Sequence, residues 1–208
     1  YNVKGKMMSC FLALMALAIG EIKPLLKKGA NLTLAQKALH NIRCPQTSSA
    51  LSNMDISGIY PPITTLFDKD ENIDWTAMKS NMEKWNQIPF RGYVVQGSNG
   101  EYAYMSVSER LELVSRVRGM MSEGKLLIAG SGCESTRATI EMTNGMADAG
   151  ADAALVVTPC FYKSGMTDDA MLAHFTKVAD NSKIPIILQV YSVPANTGLD
   201  LNTEVRRA

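Results

Sequence analysis

Residues 94–101, which read Val-Val-Gln-Gly-Ser-Asn-Gly-Glu, decide how the rest of this chain is interpreted. The apolar run 92–95 ends there in small polar residues, and a helical pattern resumes at Ser106. This order predicts a β-strand, a tight loop and then an α-helix. The two glycines allow backbone conformations that other residues avoid. The hydroxyl, amide and backbone N–H groups between them suit a carboxylate or oxyanion, although an ordinary turn has the same composition.

The pattern of strand, polar loop and helix recurs about every thirty residues along the chain. Apolar runs predict strands at 56–63, 92–96, 126–129, 153–157 and 185–191. The alternation indicates a parallel sheet with right-handed crossovers, either closed as a barrel or open and doubly wound. In both architectures the loops after the strands carry the functional residues.

Helical spacing and capping residues predict the helices. Ser106 and Glu109 form a capping box at the start of the second helix. The third helix is expected to start at Ser135 or Thr136, and the fourth is expected to be capped by one of two adjacent aspartates, Asp168 or Asp169. The first helix is predicted from an apolar stripe made of Trp75, Met78, Met82 and Trp85.

Composition indicates a globular protein and narrows the class of partner. The chain has 208 residues, 46% of them hydrophobic, and a net charge of +1. No global field therefore attracts nucleic acid or a membrane surface. The four cysteines lack C-x-x-C spacing and fit reduced thiols. Neither His40 nor His174 has zinc-ligand spacing, so no metal site is predicted.

The first 53 residues differ from the rest and are predicted to be a targeting or disordered segment. Residues 1–50 carry seven Lys or Arg residues against Glu21 alone. The apolar run 10–19 is too short to span a bilayer and resembles a secretory signal core. Residues 31–54 resemble a mitochondrial transit peptide instead. Residues 54–208 are predicted to form the second region, which carries the βα pattern.

A glycine-rich stretch at 130–135, Gly-Ser-Gly-Cys-Glu-Ser, follows a strand and opens a helix. It differs from the dinucleotide fingerprint because Ser135 replaces the third glycine. The acid expected about twenty residues later should end the next strand, whereas Asp152 begins it. A nucleotide-binding α/β domain remains an alternative.

A third polar loop, residues 191–198, reads Tyr-Ser-Val-Pro-Ala-Asn-Thr-Gly. A tyrosine at the end of a strand can relay protons if its hydroxyl reaches a pocket. Tyr191 could equally be a buried structural residue.

Three motifs together resemble a known superfamily. The stretches 97–101, 157–159 and 191–198, in this order, resemble the dihydrodipicolinate synthase and N-acetylneuraminate lyase superfamily of Schiff-base aldolases. Within it, the amino-acid sequences of 92–101 and 129–136 are similar to those of mitochondrial 4-hydroxy-2-oxoglutarate aldolases. The resemblance covers about residues 55–201 and implies a (β/α)₈ TIM barrel, with about five βα units present.

The resemblance implies reversible cleavage of 4-hydroxy-2-oxoglutarate to pyruvate and glyoxylate, in hydroxyproline breakdown. A lysine forms an iminium that serves as electron sink, so neither metal nor cofactor is implied. Ser98, Asn99 and Gly100 would hold the keto-acid carboxylate, and Tyr191 would move the proton on the substrate hydroxyl. Asn196 occupies the position of a carboxylate-binding Arg in the lysine-pathway synthases. The complete protein would be a homotetramer.

Departures from the family pattern leave other functions open. The family's lysine lies on the sixth strand, beyond Ala208, so the chain is expected to be inactive by itself. Lys125 and Lys163 are not plausible substitutes. Phe161 replaces a tyrosine that many members donate across a subunit interface, and 189–190 resemble a two-residue insertion. The alternatives are another pyruvate-dependent lyase or synthase of the superfamily and a non-catalytic half-barrel that binds a ligand.

Overall fold

The computed structural model describes residues 54–162 and 166–189. Within these residues one parallel sheet contains, in spatial order, β1 (Gly92–Val95), β2 (Leu126–Gly130), β3 (Ala153–Val157) and β4 (Ile186–Gln189). The helices that precede and connect these strands are α1 (Trp75–Asn86), α2 (Val107–Met120), α3 (Thr136–Asp148) and α4 (Asp168–Asp180). No helix in the described part of the chain is long and apolar enough to cross a membrane.

The segment predicted as a strand at 56–63 lies beside β1 but is not a regular strand. Pro62 makes an isolated parallel bridge to Val94. The Ile63 N–H donates to the Val94 carbonyl at 2.9 Å, and the Val94 N–H donates to the Pro61 carbonyl at 3.0 Å. Because Pro61 has no N–H, the segment cannot extend this ladder toward its N-terminus in regular fashion.

The sheet is covered on both faces, as its continuous apolar strands predict. On one face Val94, Ile128 and Leu155 form a cluster against which Tyr60 packs. The other face packs against the helices. Its fully buried side chains include Met78, Met82, Tyr93, Leu113, Val117, Leu127 and Met146. Burying a side chain of this size contributes about 1.5–3 kcal/mol, so this layer supplies most of the packing energy that holds the carboxyl edge in place.

Side-chain caps fix where the helices begin. The predicted capping box of α2 is confirmed, because the Ser106 and Glu109 side chains each accept from the other's backbone N–H. Ser135 caps α3, which begins at Thr136. These caps satisfy N–H groups that the helix itself leaves unpaired.

The predicted cap of α4 is wrong. Thr167 is the capping residue, and its hydroxyl accepts from the Ala170 N–H at 3.3 Å. Asp168 and Asp169 lie inside the first turn, where negative charge is stabilised by the helix N-terminus. Three consecutive residues could each cap a helix, and the extended backbone of Thr167 decides between them.

Candidate functional site

Three loops lie at the carboxyl edge of the sheet, after β1, β2 and β3. They cover residues 96–101, 131–135 and 158–162, and they are neighbours because their strands are neighbours. Tyr191 and Asn196, predicted as site residues after the next strand, lie outside the described residues. The predicted site can therefore be assessed on the first three loops.

The first loop is a short 3₁₀ helix, Ser98–Gly100. The Gly100 N–H donates to the Gly97 carbonyl at 2.8 Å, and the Glu101 N–H donates to the Ser98 carbonyl at 3.3 Å. The N–H groups of Ser98 and Asn99 donate to no described residue. Two adjacent backbone donors, with a hydroxyl and an amide beside them, therefore remain for a carboxylate. Gly100 contributes differently, because its N–H is used within the turn and its carbonyl accepts from the buried Thr65 hydroxyl at 2.7 Å.

The two loop glycines do not take left-handed backbone conformations. Gly97 has a φ of −66°, whereas Gln96 and Glu101, on either side of the turn, have φ values of 59° and 55°. A non-glycine residue in this region is strained and is retained only where its surroundings hold it. The structure supplies such surroundings for Gln96.

Gln96 is held by Arg110, a residue that the sequence motifs did not reveal. The Gln96 side-chain amide donates to the Arg110 carbonyl, and the Arg110 Nε donates to Gln96 Oε1 at 3.0 Å. The Arg110 Nη2 also donates to the Gly130 carbonyl at 3.0 Å. Arg110 is only 6% exposed. A charged residue on the buried stripe of α2, three positions before Leu113, is the signal that could have identified it.

The glycines of the second loop serve close packing. A Cβ at Gly130 would lie 1.9 Å from the Gln96 carbonyl oxygen, and a Cβ at Gly132 would lie 2.6 Å from Val157 Cγ1. Asp152 pairs with Arg118 and accepts from the Leu127 N–H, before β3 rather than after it. The features that suggested a nucleotide site thus have structural roles here.

Glu134 connects the second loop to the third. Its carboxylate accepts from the backbone N–H of Cys160 at 3.1 Å and of Phe161 at 3.0 Å. The aromatic rings of Phe161 and Tyr162 are 75% and 76% exposed and meet edge to face, with 4.9 Å between their centroids. Phe161 has no hydroxyl, so this position cannot relay a proton.

Two titratable side chains near these loops have shifted pKa values. Burial raises the pKa of Tyr102, whose ring lies 5.0 Å from the Arg110 guanidinium carbon. Burial lowers the pKa of His174 below its usual 6.5. The Nδ1 of His174 lies 3.0 Å from the Thr136 hydroxyl, and its buried Nε2 has no hydrogen-bond partner among the described residues. Both groups therefore stay neutral at pH 7.

The described residues contain no alternative metal or lysine centre. Within 54–162 and 166–189 no three His, Cys, Asp or Glu side chains are grouped as metal ligands. Cys133 and Cys160 are not joined by a disulfide. Lys125 precedes β2, and its Nζ donates to the carbonyls of Ile88 and Phe90, so it lies at the opposite edge of the sheet from the Ser98–Gly100 turn. Lys163 lies outside the described residues.

Successive parallel βα units with polar loops at the carboxyl edge fit part of an α/β barrel. Residues 55–207 match the model of the Dihydrodipicolinate synthetase family, and the chain belongs to that family. Its solved members are (β/α)₈ barrels, so the predicted fold class is confirmed.

Relatives with two different names are about equally similar to the chain. It is 37% identical over 148 residues to 4-hydroxy-tetrahydrodipicolinate synthase of Methanothrix thermoacetophila, covering 71% of this chain and 48% of the relative. It is 35% identical over 154 residues to a probable mitochondrial 4-hydroxy-2-oxoglutarate aldolase of Emericella nidulans, covering 72% and 49%. The chain thus spans about half the length of these relatives.

A solved structure of the family also matches the chain over about half of its own length. The dihydrodipicolinate synthase of Acinetobacter baumannii, complexed with pyruvate, superimposes with a TM-score of 0.66 at 33% identity. The similarity covers 74% of this chain and 52% of that protein.

Proposed function

We propose that this chain is the keto-acid-binding part of a class I, Schiff-base lyase that cleaves 4-hydroxy-2-oxoglutarate to pyruvate and glyoxylate. The observation that carries the proposal is a pair of N–H groups at the carboxyl edge, on Ser98 and Asn99, that donate to no residue the structure describes. A relative of the same family is known in complex with pyruvate, whose carboxylate suits these donors.

The chemistry assigns a distinct role to each group. A lysine amine condenses with the substrate C2 carbonyl and releases water, which gives an iminium. A base removes the C4 hydroxyl proton, the C3–C4 bond breaks, and its electrons move to the iminium as glyoxylate leaves. The resulting enamine is protonated at C3, and addition of water to the iminium then releases pyruvate and the free lysine. Ser98 and Asn99 hold the C1 carboxylate through these steps. Tyr191 is proposed as the group that takes the hydroxyl proton.

A single proline substitution in the turn tests the carboxylate site. Ser98→Pro removes one backbone N–H, and the preceding Gly97 has the extended backbone that a following proline requires. We expect pyruvate to bind at least about tenfold more weakly to this variant, which corresponds to about 1.4 kcal/mol. Binding is followed by NMR titration of the 208-residue chain.

Ser98→Ala is the matched control, because it removes the hydroxyl and keeps the N–H. Equal pyruvate affinity in Ser98→Pro and Ser98→Ala would show that the backbone donor does not bind the carboxylate. Absence of pyruvate binding by the parent chain would reject the proposed function itself.

The choice of 4-hydroxy-2-oxoglutarate rests on Asn196. In the lysine-pathway synthases the resemblance places a carboxylate-binding Arg at this position, and a neutral amide cannot reproduce a bidentate Arg–carboxylate pair. In the protein extended to the length of its relatives, Asn196→Arg is expected to lower kcat/KM for 4-hydroxy-2-oxoglutarate roughly tenfold or more. The second candidate function is that of a dihydrodipicolinate synthase, which the 37% identical relative supports. Synthase activity of the unsubstituted extended protein would favour it.

Borohydride trapping separates a lyase from a binding protein. Reduction in the presence of pyruvate makes a lysine iminium permanent and adds the pyruvyl mass. We expect no adduct on Lys125, because its Nζ is engaged with the Ile88 and Phe90 carbonyls before β2. An adduct on a lysine of the extended protein, mapped by mass spectrometry, supports the lyase. Saturable pyruvate binding without an adduct supports the half-barrel binding protein.

Mitochondrial localisation and a homotetramer complete the proposal. The first 53 residues support the former through their transit-peptide composition. Fusing residues 1–53 to a fluorescent protein tests it, because secretion of the fusion would indicate a signal peptide instead. Light scattering of the extended protein tests the tetramer.

A further inference from the structure

The backbone of Gln96 is the strained point on which the anion-binding turn depends. Its φ of 59° lies in the left-handed region, although it is not glycine and only 1% of it is exposed. The next residue, Gly97, begins the turn that presents the N–H groups of Ser98 and Asn99. A change in φ at Gln96 would re-aim both donors, because they follow it directly along the chain.

Arg110 is the side chain that restrains Gln96. One hydrogen bond runs from the Gln96 amide to the Arg110 carbonyl, and another of 3.0 Å runs from the Arg110 Nε to Gln96 Oε1. Arg110 also donates to the Gly130 carbonyl at the end of β2. The guanidinium therefore joins the first residue after β1 to the neighbouring strand.

The charge of Arg110 distinguishes it from an ordinary structural arginine. No carboxylate of a described residue pairs with it, and its remaining neighbours are the Cys133 sulfur at 3.7 Å from Nη1 and the face of Tyr102. A buried charge is normally paired, as Arg118 is with Asp152. The carboxyl edge therefore holds a buried positive charge that no described carboxylate contacts directly, and this charge favours an anion in front of the turn.

We propose that Arg110 and Gln96 are positioning residues that hold the Ser98–Gly100 turn in its anion-binding form. The proposal rests on the function proposed above for this turn. The two residues act through the backbone: the side-chain pair keeps Gln96 left-handed, and this keeps the N–H groups of Ser98 and Asn99 aimed at one carboxylate.

The test is a rescue experiment in the 208-residue chain. Arg110→Met is expected to weaken pyruvate binding at least about tenfold. Glycine adopts positive φ readily, so Gln96→Gly in the Arg110→Met background should recover affinity to within about threefold of the parent. Gln96→Ala in the same background should not recover it, because alanine loses the side-chain bonds and keeps the strain. Thermal melts identify the temperature at which each variant is folded, and affinities are compared there.

Each outcome of this experiment either supports or overturns the positioning role of Arg110 and Gln96. Unchanged affinity in folded Arg110→Met, or equal affinity in the glycine and alanine double variants, overturns the inference while the parent's binding keeps the proposed function. If Arg110→Met does not fold, Arg110→Lys replaces it, because lysine keeps the charge and cannot make the paired bonds. If the parent does not bind pyruvate, backbone chemical shifts decide instead: φ at Gln96 must leave the left-handed region in the arginine variant, and retention of it there rejects the inference.

Discussion

At the amino edge of the sheet, Arg118 pairs with Asp152 and donates to the carbonyls of Gly150 and Lys125 at 2.8 and 3.1 Å. At the carboxyl edge, Arg110 contacts carbonyls, a sulfur and a ring, and no carboxylate of a described residue. Both arginines extend from α2, eight positions apart. The arginine at one edge thus closes the structure through an ion pair, whereas the arginine at the other edge lies behind the turn that we propose as the ligand site.

Gly130 packs closely against the end of the neighbouring strand, and altering it should have the largest effect. Gly130→Ala would place a Cβ 1.9 Å from a backbone oxygen that cannot move independently of β1. We expect a loss of at least about 3 kcal/mol in the free energy of unfolding, measured with urea.

Gly119→Ala is its matched control. Gly119 lies on the exposed side of α2, and a Cβ there would meet nothing within 4 Å. This substitution should gain about 0.5–1 kcal/mol from helix propensity. Similar losses in both variants would mean that the carboxyl edge tolerates a wider separation of β1 and β2.

Removing one acid from each edge tests whether the two edges divide stability and binding between them. Asp152→Ala leaves Arg118 and the Leu127 N–H without their partner and should cost about 2–3 kcal/mol in urea unfolding. Glu134→Ala should cost less than about 1 kcal/mol, because Glu134 is exposed. A larger loss from Glu134→Ala than from Asp152→Ala would contradict the division of roles.

The smallest expected effect is a pH dependence from His174, which lies on α4 and contacts Thr136 at the start of α3. Because burial lowers its pKa in the folded state, the unfolded chain binds more protons. Its contribution to stability is therefore complete above pH 6.5 and is lost as pH falls from 6.5 through the folded-state pKa.

His174→Gln should remove this slope in urea unfolding between pH 7 and pH 5. The carboxyls of Asp55, Asp68 and Glu109 titrate in a separate, more acidic window. Hydrogen bonds lower their pKa values below the ordinary 3.8 of Asp and 4.5 of Glu. An unchanged slope in His174→Gln would assign the pH dependence to other groups.

Local signals in the sequence were sufficient for most of the fold. Apolar runs located β1 to β4, and the capping box at Ser106 located the start of α2. These features depend on residues a few positions apart, because hydrophobic periodicity and helix capping both act over that range. The strand predicted at 56–63, which Pro61 and Pro62 interrupt in the sequence, was the exception, because it forms only an isolated bridge to β1.

The candidate site was only partly predictable. The turn carrying Ser98 and Asn99 was expected as an anion site, and this stays a prediction; the structure adds that neither N–H group donates to a described residue. Arg110 was missed because its partner Gln96 lies fourteen residues away, across a helix turn and a strand end. The close-packing role of Gly130 could not be predicted for the same reason: whether a Cβ fits there depends on the neighbouring strand, which no local pattern describes.

The bridge between Pro62 and Val94 has a consequence for association with other chains. In a parallel bridge whose hydrogen bonds run through Pro61 and Ile63, the backbone nitrogen and oxygen of Pro62 face away from β1. A foreign strand approaching from that side finds an acceptor at Pro62 but no donor. Proline thus makes this edge a poor template for sheet extension and limits edge-to-edge aggregation there.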